Sequence, residues 1–110
     1  MAEVLNIRFA CGKDFVYIGR DPRRPMHYGN PFSHQAVSIA SVKVASREEA
    51  IARFETWLDG TSDQTVEPAR RLWIVQHLVD LAGHNLGCHC RPKACHGDVL
   101  LRRASAARCV

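Results

Sequence analysis

Apolar and polar positions alternate over residues 3–9, with Val4, Asn6 and Arg8 on one side and Leu5, Ile7 and Phe9 on the other, the period of a strand. Cys11-Gly12-Lys13-Asp14 is turn chemistry, and Phe15-Val16-Tyr17-Ile18 is a short aromatic and β-branched run that predicts a second strand. The spacing allows the two to pair as a hairpin. Residues 36–45 are apolar enough for a further short strand.

At Ser46 the period changes to that of a helix. Ser46-Arg47-Glu48-Glu49 reads as a capping box, with Ser46 as N-cap and Glu49 at the third helical position. Ala50, Ile51, Phe54, Trp57 and Leu58 follow at helical spacing, and Gly60 ends the run. After a polar linker at 61–66, the pattern predicts a second helix over about 67–82. Pro68 suits its first turn, Leu72, Val75, Val79 and Ala82 form its apolar face, and Gly83 closes it. Asn85 to Cys90 reads as a short buried strand. A third helix starts near Cys95 and runs through Val99, Leu100, Leu101 and Ala104.

Residues 19–34 interrupt this pattern. Pro22, Pro25 and Pro31 with Gly19 and Gly29 predict a long loop without regular structure. A loop of this length in so short a chain is a binding loop or disordered, and its aromatic residues argue for binding. The order of strands, loop, helices, strand and helix predicts a small single-domain α/β protein over residues 1–110. The expected architecture is a sheet with about three helices, Rossmann-like in three layers or two.

Composition agrees with a globular chain. Of the 110 residues 46% are apolar and 24% charged, which excludes a low-complexity or collagen-like chain. There is no apolar run long enough to span a membrane, and the N-terminus lacks a basic-then-apolar signal pattern, so a cytoplasmic protein without membrane contact is expected. The net charge of +4 matters through its placement. Arg91, Lys93, Arg102, Arg103 and Arg108 face Asp98 alone in the last segment, and Arg20, Arg23 and Arg24 face Asp21 in the loop. That concentration suggests an anionic partner, a nucleotide or other phosphate-bearing small molecule, with nucleic acid as a further candidate.

The chemistry concentrates in Cys88-His89-Cys90-Arg91-Pro92-Lys93-Ala94-Cys95-His96-Gly97-Asp98. On a strand Cys88 and Cys90 share one face, and His89 points the other way. Pro92 turns the chain so that Cys95 and His96 open the next helix. Such a position, beyond a strand's C-terminal end and at a helix N-terminus, is where open α/β sheets bind ligands and where a thiolate is favoured. Three readings compete. Cys88, Cys90, Cys95 and His96 could bind zinc as a Cys3His site, although the spacing matches no standard finger. Cys95 could be a nucleophile with His96 and Asp98 handling or orienting protons and Cys90 as a redox neighbour, Asp98 also competing to cap the helix. Or the cysteines could be small buried hydrophobes. Cys11 and Cys109, of the 5 cysteines, read as structural or incidental.

The same residues carry a resemblance. Tyr17-Ile18-Gly19-Arg20, Gly29-Asn30-Pro31-Phe32, the helix opening Ser46 to Ala50, and Cys88 to Leu100 occur in the order of the small domain-of-unknown-function family 4326, seen in bacteria and their phages. The last motif of that family is Cys-x-Cys-x-Pro-x-x-Cys-His-Gly-Asp-x-Leu. The chain resembles it over about residues 15–103 and departs at 21–28. The resemblance implies a small α/β fold and no established activity. A weaker similarity, confined to the last motif, is to a second uncharacterised family with Cys-x-Glu in place of Cys88-x-Cys90. That replacement favours a chemical over a packing role there.

Within the loop, Gly19 can let a ligand approach the backbone, and Arg20 can grip a phosphate or carboxylate. Gly29 and Asn30 form a turn whose amide can pair with a base. Tyr28 and Phe32 can stack on one, although Phe32 also suits a core anchor. Trp57 and Trp73 read as core. The expected function is binding of an anionic, nucleotide-like ligand by Gly19, Arg20, Gly29, Asn30 and Cys88 against catalytic Cys95, His96 and Asp98, in a transferase or hydrolase. The alternative is a zinc-stabilised nucleic-acid or protein binding module without catalysis.

Overall fold

The computed structural model describes residues 3–9, 12, 14–35, 38–89 and 93–108. Its elements are β1 (Val4–Asn6), β2 (Val16–Tyr17), β3 (Phe32–Ser33), β4 (Val42–Lys43), α1 (Arg47–Asp59), α2 (Pro68–Leu81), β5 (Leu86–Cys88) and α3 (Gly97–Arg108). A single 3-10 turn, Ile7–Phe9, follows β1. The protein is a small α/β fold of three helices and short parallel strands in two small sheets.

β1 and β2 do not pair as a hairpin. β5 lies between them, in the order β1-β5-β2, parallel to both. Leu86 registers with Val4 and Val16, and Gly87 with Leu5 and Tyr17. The Leu86 and Val16 N–H groups donate to Glu3 and Asn85 carbonyls at 2.9 and 2.8 Å, and the Ile18 N–H to Gly87 at 2.9 Å. A fully apolar strand such as Leu86–Cys88 gains most at the centre, where both its edges are paired. β3 and β4 form a separate parallel pair. The loop expected to be irregular over 19–34 therefore ends in a short strand, because the Pro31 and Ser33 carbonyls accept from Val42 and Val44 N–H groups.

The first helix forms as its capping signal predicts. Ser46 Oγ accepts the Glu49 N–H at 3.1 Å, and Gly60 closes the helix in the left-handed conformation. Ala50, Phe54, Trp57 and Leu58 are buried. Trp57, Phe32, Phe54, Ile18, Ile74, Leu81, Leu86 and Leu100 are the largest fully buried side chains. Phe32 is thus a core anchor, set edge-on to Trp57 with ring centroids 6.4 Å apart.

The second helix turns a different face inward. Arg70, Ile74, Leu78 and Leu81 are buried, while Leu72 and Val79 are 51% and 53% exposed and Val75 is also exposed. The helix carries apolar side chains on both faces, so periodicity offers two stripes. The buried one contains an arginine, a residue that hydrophobic patterning excludes. Arg70 is 4% exposed because its guanidinium meets acceptors inside: the His27 and Gly29 carbonyls and the Glu67 carboxylate. Trp73 is only half-buried, tilted on Tyr28. No helix among the described residues is long and apolar enough to cross a membrane.

Candidate functional site

β5 ends at Cys88, β2 leads into Ile18 and Gly19, and Cys95 and His96 stand just before α3. The loop that carries Asn30 closes the fourth side. Together they line a cavity of ≈ 300 Å³ that includes Gly19, Arg20, Asn30, Cys88, Cys95 and His96. The strand ends and the helix start thus bring the sulfurs and the early arginine into one hollow.

The two sulfurs are in contact, Cys88 Sγ to Cys95 Sγ at 3.3 Å, and both side chains are buried. The Cys95 sulfur also accepts the Gly97 N–H at 3.3 Å and lies 3.6 Å from His96 Nδ1. On the other side of the ring, His96 Nε2 is 2.9 Å from the Ile18 carbonyl and 3.0 Å from the Tyr28 carbonyl. Two carbonyls can only accept, so Nε2 carries the hydrogen. Nδ1 is then the nitrogen that faces the Cys95 sulfur.

The remaining expected residues have different work. Asp98 does not line the cavity; its Oδ2 accepts the Cys95 N–H at 3.4 Å, tying down the turn before α3. Asn30 is buried, with Nδ2 donating to the Ala50 carbonyl at 3.0 Å and Oδ1 accepting the Phe32 N–H at 2.9 Å. Its amide holds the loop to α1. Arg20 donates from Nε to the Asn30 carbonyl at 2.8 Å and from Nη2 to the Phe32 carbonyl at 3.0 Å. Its charge therefore enters the wall in a fixed pose. Gly29 lies outside the cavity wall and is needed because a Cβ there would come within 2.8 Å of the Arg20 side chain. At Gly19, which lines the cavity, a Cβ would meet the Tyr17 hydroxyl at 2.1 Å, so the tyrosine also needs a glycine there. Tyr28 is buried against Trp73, its hydroxyl donating to the His77 carbonyl at 3.4 Å.

Several wall residues escaped the pattern. His89 lines the cavity beside Tyr17, with ring centroids 6.0 Å apart, instead of pointing away from it. Strand alternation stops applying one residue earlier, at Cys88. Arg47, which donates to the Ala94 carbonyl at 3.3 Å, and His34 also line it. In the sequence these are an ordinary first-turn helix residue and a loop histidine.

Four of the described arginines in the basic segments are paired with carboxylates away from the cavity wall. Arg102 and Arg103 pair with Glu55, and Arg103 also with Asp59, on α1, while Arg23 and Arg24 pair with Asp21. The Arg102 hydrogen bond, with that of Arg103, holds the Glu55 carboxyl below its usual range. Among the described residues, Arg20 and Arg47 are the arginines in the cavity wall.

Among the described residues no group of three or more His, Cys, Asp or Glu side chains is placed to hold a metal ion. Cys90, the fourth ligand of the zinc expectation, lies outside the described residues, as do Cys11, Arg91, Pro92 and Cys109.

Comparison with known proteins gives a short match and a long one. A protein of Enterobacteria phage T4, described as an uncharacterized 12.4 kDa protein in the nrdA-td intergenic region, is 58% identical over 24 residues, 22% of this chain and 22% of its own length. No solved structure matches. Residues 8–106, nearly the whole chain, match a family model, and the protein belongs to the family described as Domain of unknown function (DUF4326).

Proposed function

We propose that the cavity binds an anionic, nucleotide-like small molecule and presents it to Cys95 for group transfer or hydrolysis. The observation that carries this reading is the shared wall: Cys95, His96, Arg20 and Arg47 line one hollow of ≈ 300 Å³. That volume is at the small end of the range for ligand sites. The two guanidinium groups give the anion a place, Tyr17, Ile39 and Ile51 give an apolar moiety one, and Ser33, Gln35 and Ser38 supply hydrogen-bonding groups.

In this reading the Cys95 thiol passes its proton to His96 Nδ1 as its sulfur bonds to the electrophilic atom of the substrate. The leaving group departs with the bonding pair and takes the proton back from Nδ1. Water, or a second acceptor, then displaces the sulfur and restores the thiol. His96 stays oriented throughout by the Ile18 and Tyr28 carbonyls. Asp98 is a positioning residue for the Cys95 backbone.

A thermal-shift series with nucleoside mono-, di- and triphosphates tests the reading on wild type and on Arg20→Ala and Arg47→Ala. At least one nucleotide is expected to stabilise wild type, to lose that effect in an arginine variant, and to protect Cys95 from iodoacetamide. Absence of both stabilisation and protection across the series overturns it. Stoichiometric zinc in the purified protein, with unfolding on chelation, would do the same in favour of a metal-stabilised module.

A further inference from the structure

We propose that Cys88 and Cys95 are a redox pair, which a small hydroperoxide converts to a disulfide across the junction of β5 and α3. Their sulfurs are already 3.3 Å apart, and a disulfide needs them to close to about 2.05 Å. Neither thiol sits on a wandering segment. Cys88 is the last residue of the central strand, in register with Asn6. Cys95 is held by the Asp98 carboxylate on its N–H and by the Gly97 N–H on its sulfur. The two residues meet because a strand end and a helix start converge, so the pairing is built into the fold.

The surroundings assign different roles to the two sulfurs. Cys95 has His96 Nδ1 and the Gly97 N–H beside it, the partners that favour a thiolate, and is the atom that attacks. Its sulfur bonds to the distal oxygen of the hydroperoxide and the O–O bond breaks. The proximal oxygen leaves with the electron pair, takes up a proton and becomes an alcohol, or water when the oxidant is hydrogen peroxide. Cys95 is now a sulfenic acid, oxidised by two electrons. Cys88 sulfur then bonds to Cys95 sulfur, the S–O bond breaks, and the hydroxide released combines with the Cys88 thiol proton as water. A dithiol returns two electrons and two protons and restores both thiols. Both cysteines line the cavity yet are almost closed to the outside, which admits a peroxide more readily than a bulky thiol oxidant.

This pair is a modification site separate from the nucleotide reading. Where that reading also holds, the disulfide removes its nucleophile and acts as an off state.

The test uses the full chain and no nucleotide. Reduced protein is treated with stoichiometric hydrogen peroxide, blocked with iodoacetamide and digested with trypsin, whose cut after Lys93 separates the peptides carrying Cys88 and Cys95. The expected product is a Cys88–Cys95 cross-linked pair, lighter by two hydrogens than the sum of the two peptides with Cys90 carbamidomethylated, assigned to Cys88 by fragment ions and released by dithiothreitol. In Cys88→Ser, dimedone is expected to trap the sulfenic acid at Cys95. Phenylarsine oxide, which bridges neighbouring thiols, is expected to protect both cysteines in wild type, a readout that needs no folded variant. A linkage to Cys90, Cys11 or Cys109 instead, or a Cys95 that stays alkylatable after peroxide, overturns the proposal. Failure of nucleotides to bind leaves each of these readouts as it was.

Discussion

The Arg70 guanidinium, buried beneath α2, donates to the Gly29 carbonyl 41 residues earlier in the chain and at 2.9 Å to the carbonyl of His27. One side chain thereby fixes the loop that walls the cavity. Arg70→Met keeps the apolar stem and leaves both carbonyls without their donor. The expected loss is roughly 2–4 kcal/mol by urea denaturation, an estimate for two unmet acceptors in a partly solvated setting. Arg70→Lys should recover only a small part, because an ammonium cannot reach both carbonyls and the Glu67 carboxylate as a planar fork does. If Arg70→Met unfolds at the wild-type urea midpoint, the clamp contributes nothing.

His96 should set the reactivity of the buried thiol. In His96→Gln the nitrogen facing Cys95 is gone, and iodoacetamide labelling of Cys95 is expected to slow by on the order of 10²-fold at neutral pH, the low end for a positioned base. Peptide-resolved labelling kinetics check this. An unchanged rate would mean that the helix start alone activates the sulfur.

Acid should loosen the loop before it protonates the carboxylates. His27 Nδ1 accepts the Gly29 N–H at 3.1 Å, which requires a neutral nitrogen. Burial first, and then the Arg70 charge, lower the His27 pKa below its ordinary 6.5. The unfolded chain therefore binds this proton more tightly. The contribution to stability is whole above pH 6.5 and is lost as pH falls from there through the folded value. The urea midpoint is expected to drop between pH 7.5 and 5.5, and to drop less in His27→Gln. Glu67 and Glu55, held low chiefly by hydrogen bonds from Arg70 and Arg102, follow the same sign at more acid pH, below 4.5.

The two faces of α2 should differ sharply in tolerance. Leu72→Gln and Val79→Gln replace exposed side chains, and stability is expected to change by about 0.5 kcal/mol or less. Ile74→Ala opens a void in the fully buried face and should cost roughly 2–5 kcal/mol. Denaturant midpoints decide it, and a Leu72→Gln loss as large as that of Ile74→Ala would place the wrong face inward.

Local signals were legible in the chain and distant ones were not. Ser46 and Glu49 announce the first helix because the bond between them closes within one turn. The cysteine motif announces a strand-to-helix junction for the same reason. Nothing near Val4 or Val16 says that Leu86 will separate them, since that pairing is decided by a segment about seventy residues later. Arg70 carries no mark of burial, because its acceptors are backbone carbonyls that every sequence possesses. His89 was misplaced by extending the strand period past Cys88, where the sheet has already ended. The loop marks Arg20 and Asn30, but nothing in the sequence marks their hydrogen bonds, which go to the loop's own carbonyls, to Phe32 N–H and to α1.

The imidazole of His96 touches the exit of β2 and the Tyr28 loop with one nitrogen and faces the sulfur with the other. One ring thus ties the β2 exit to the Tyr28 loop and meets the thiol. Because the ring joins these segments whatever the sulfur does, the persistence of this histidine in a homologue lacking Cys95 would by itself record architecture and argue for no activity.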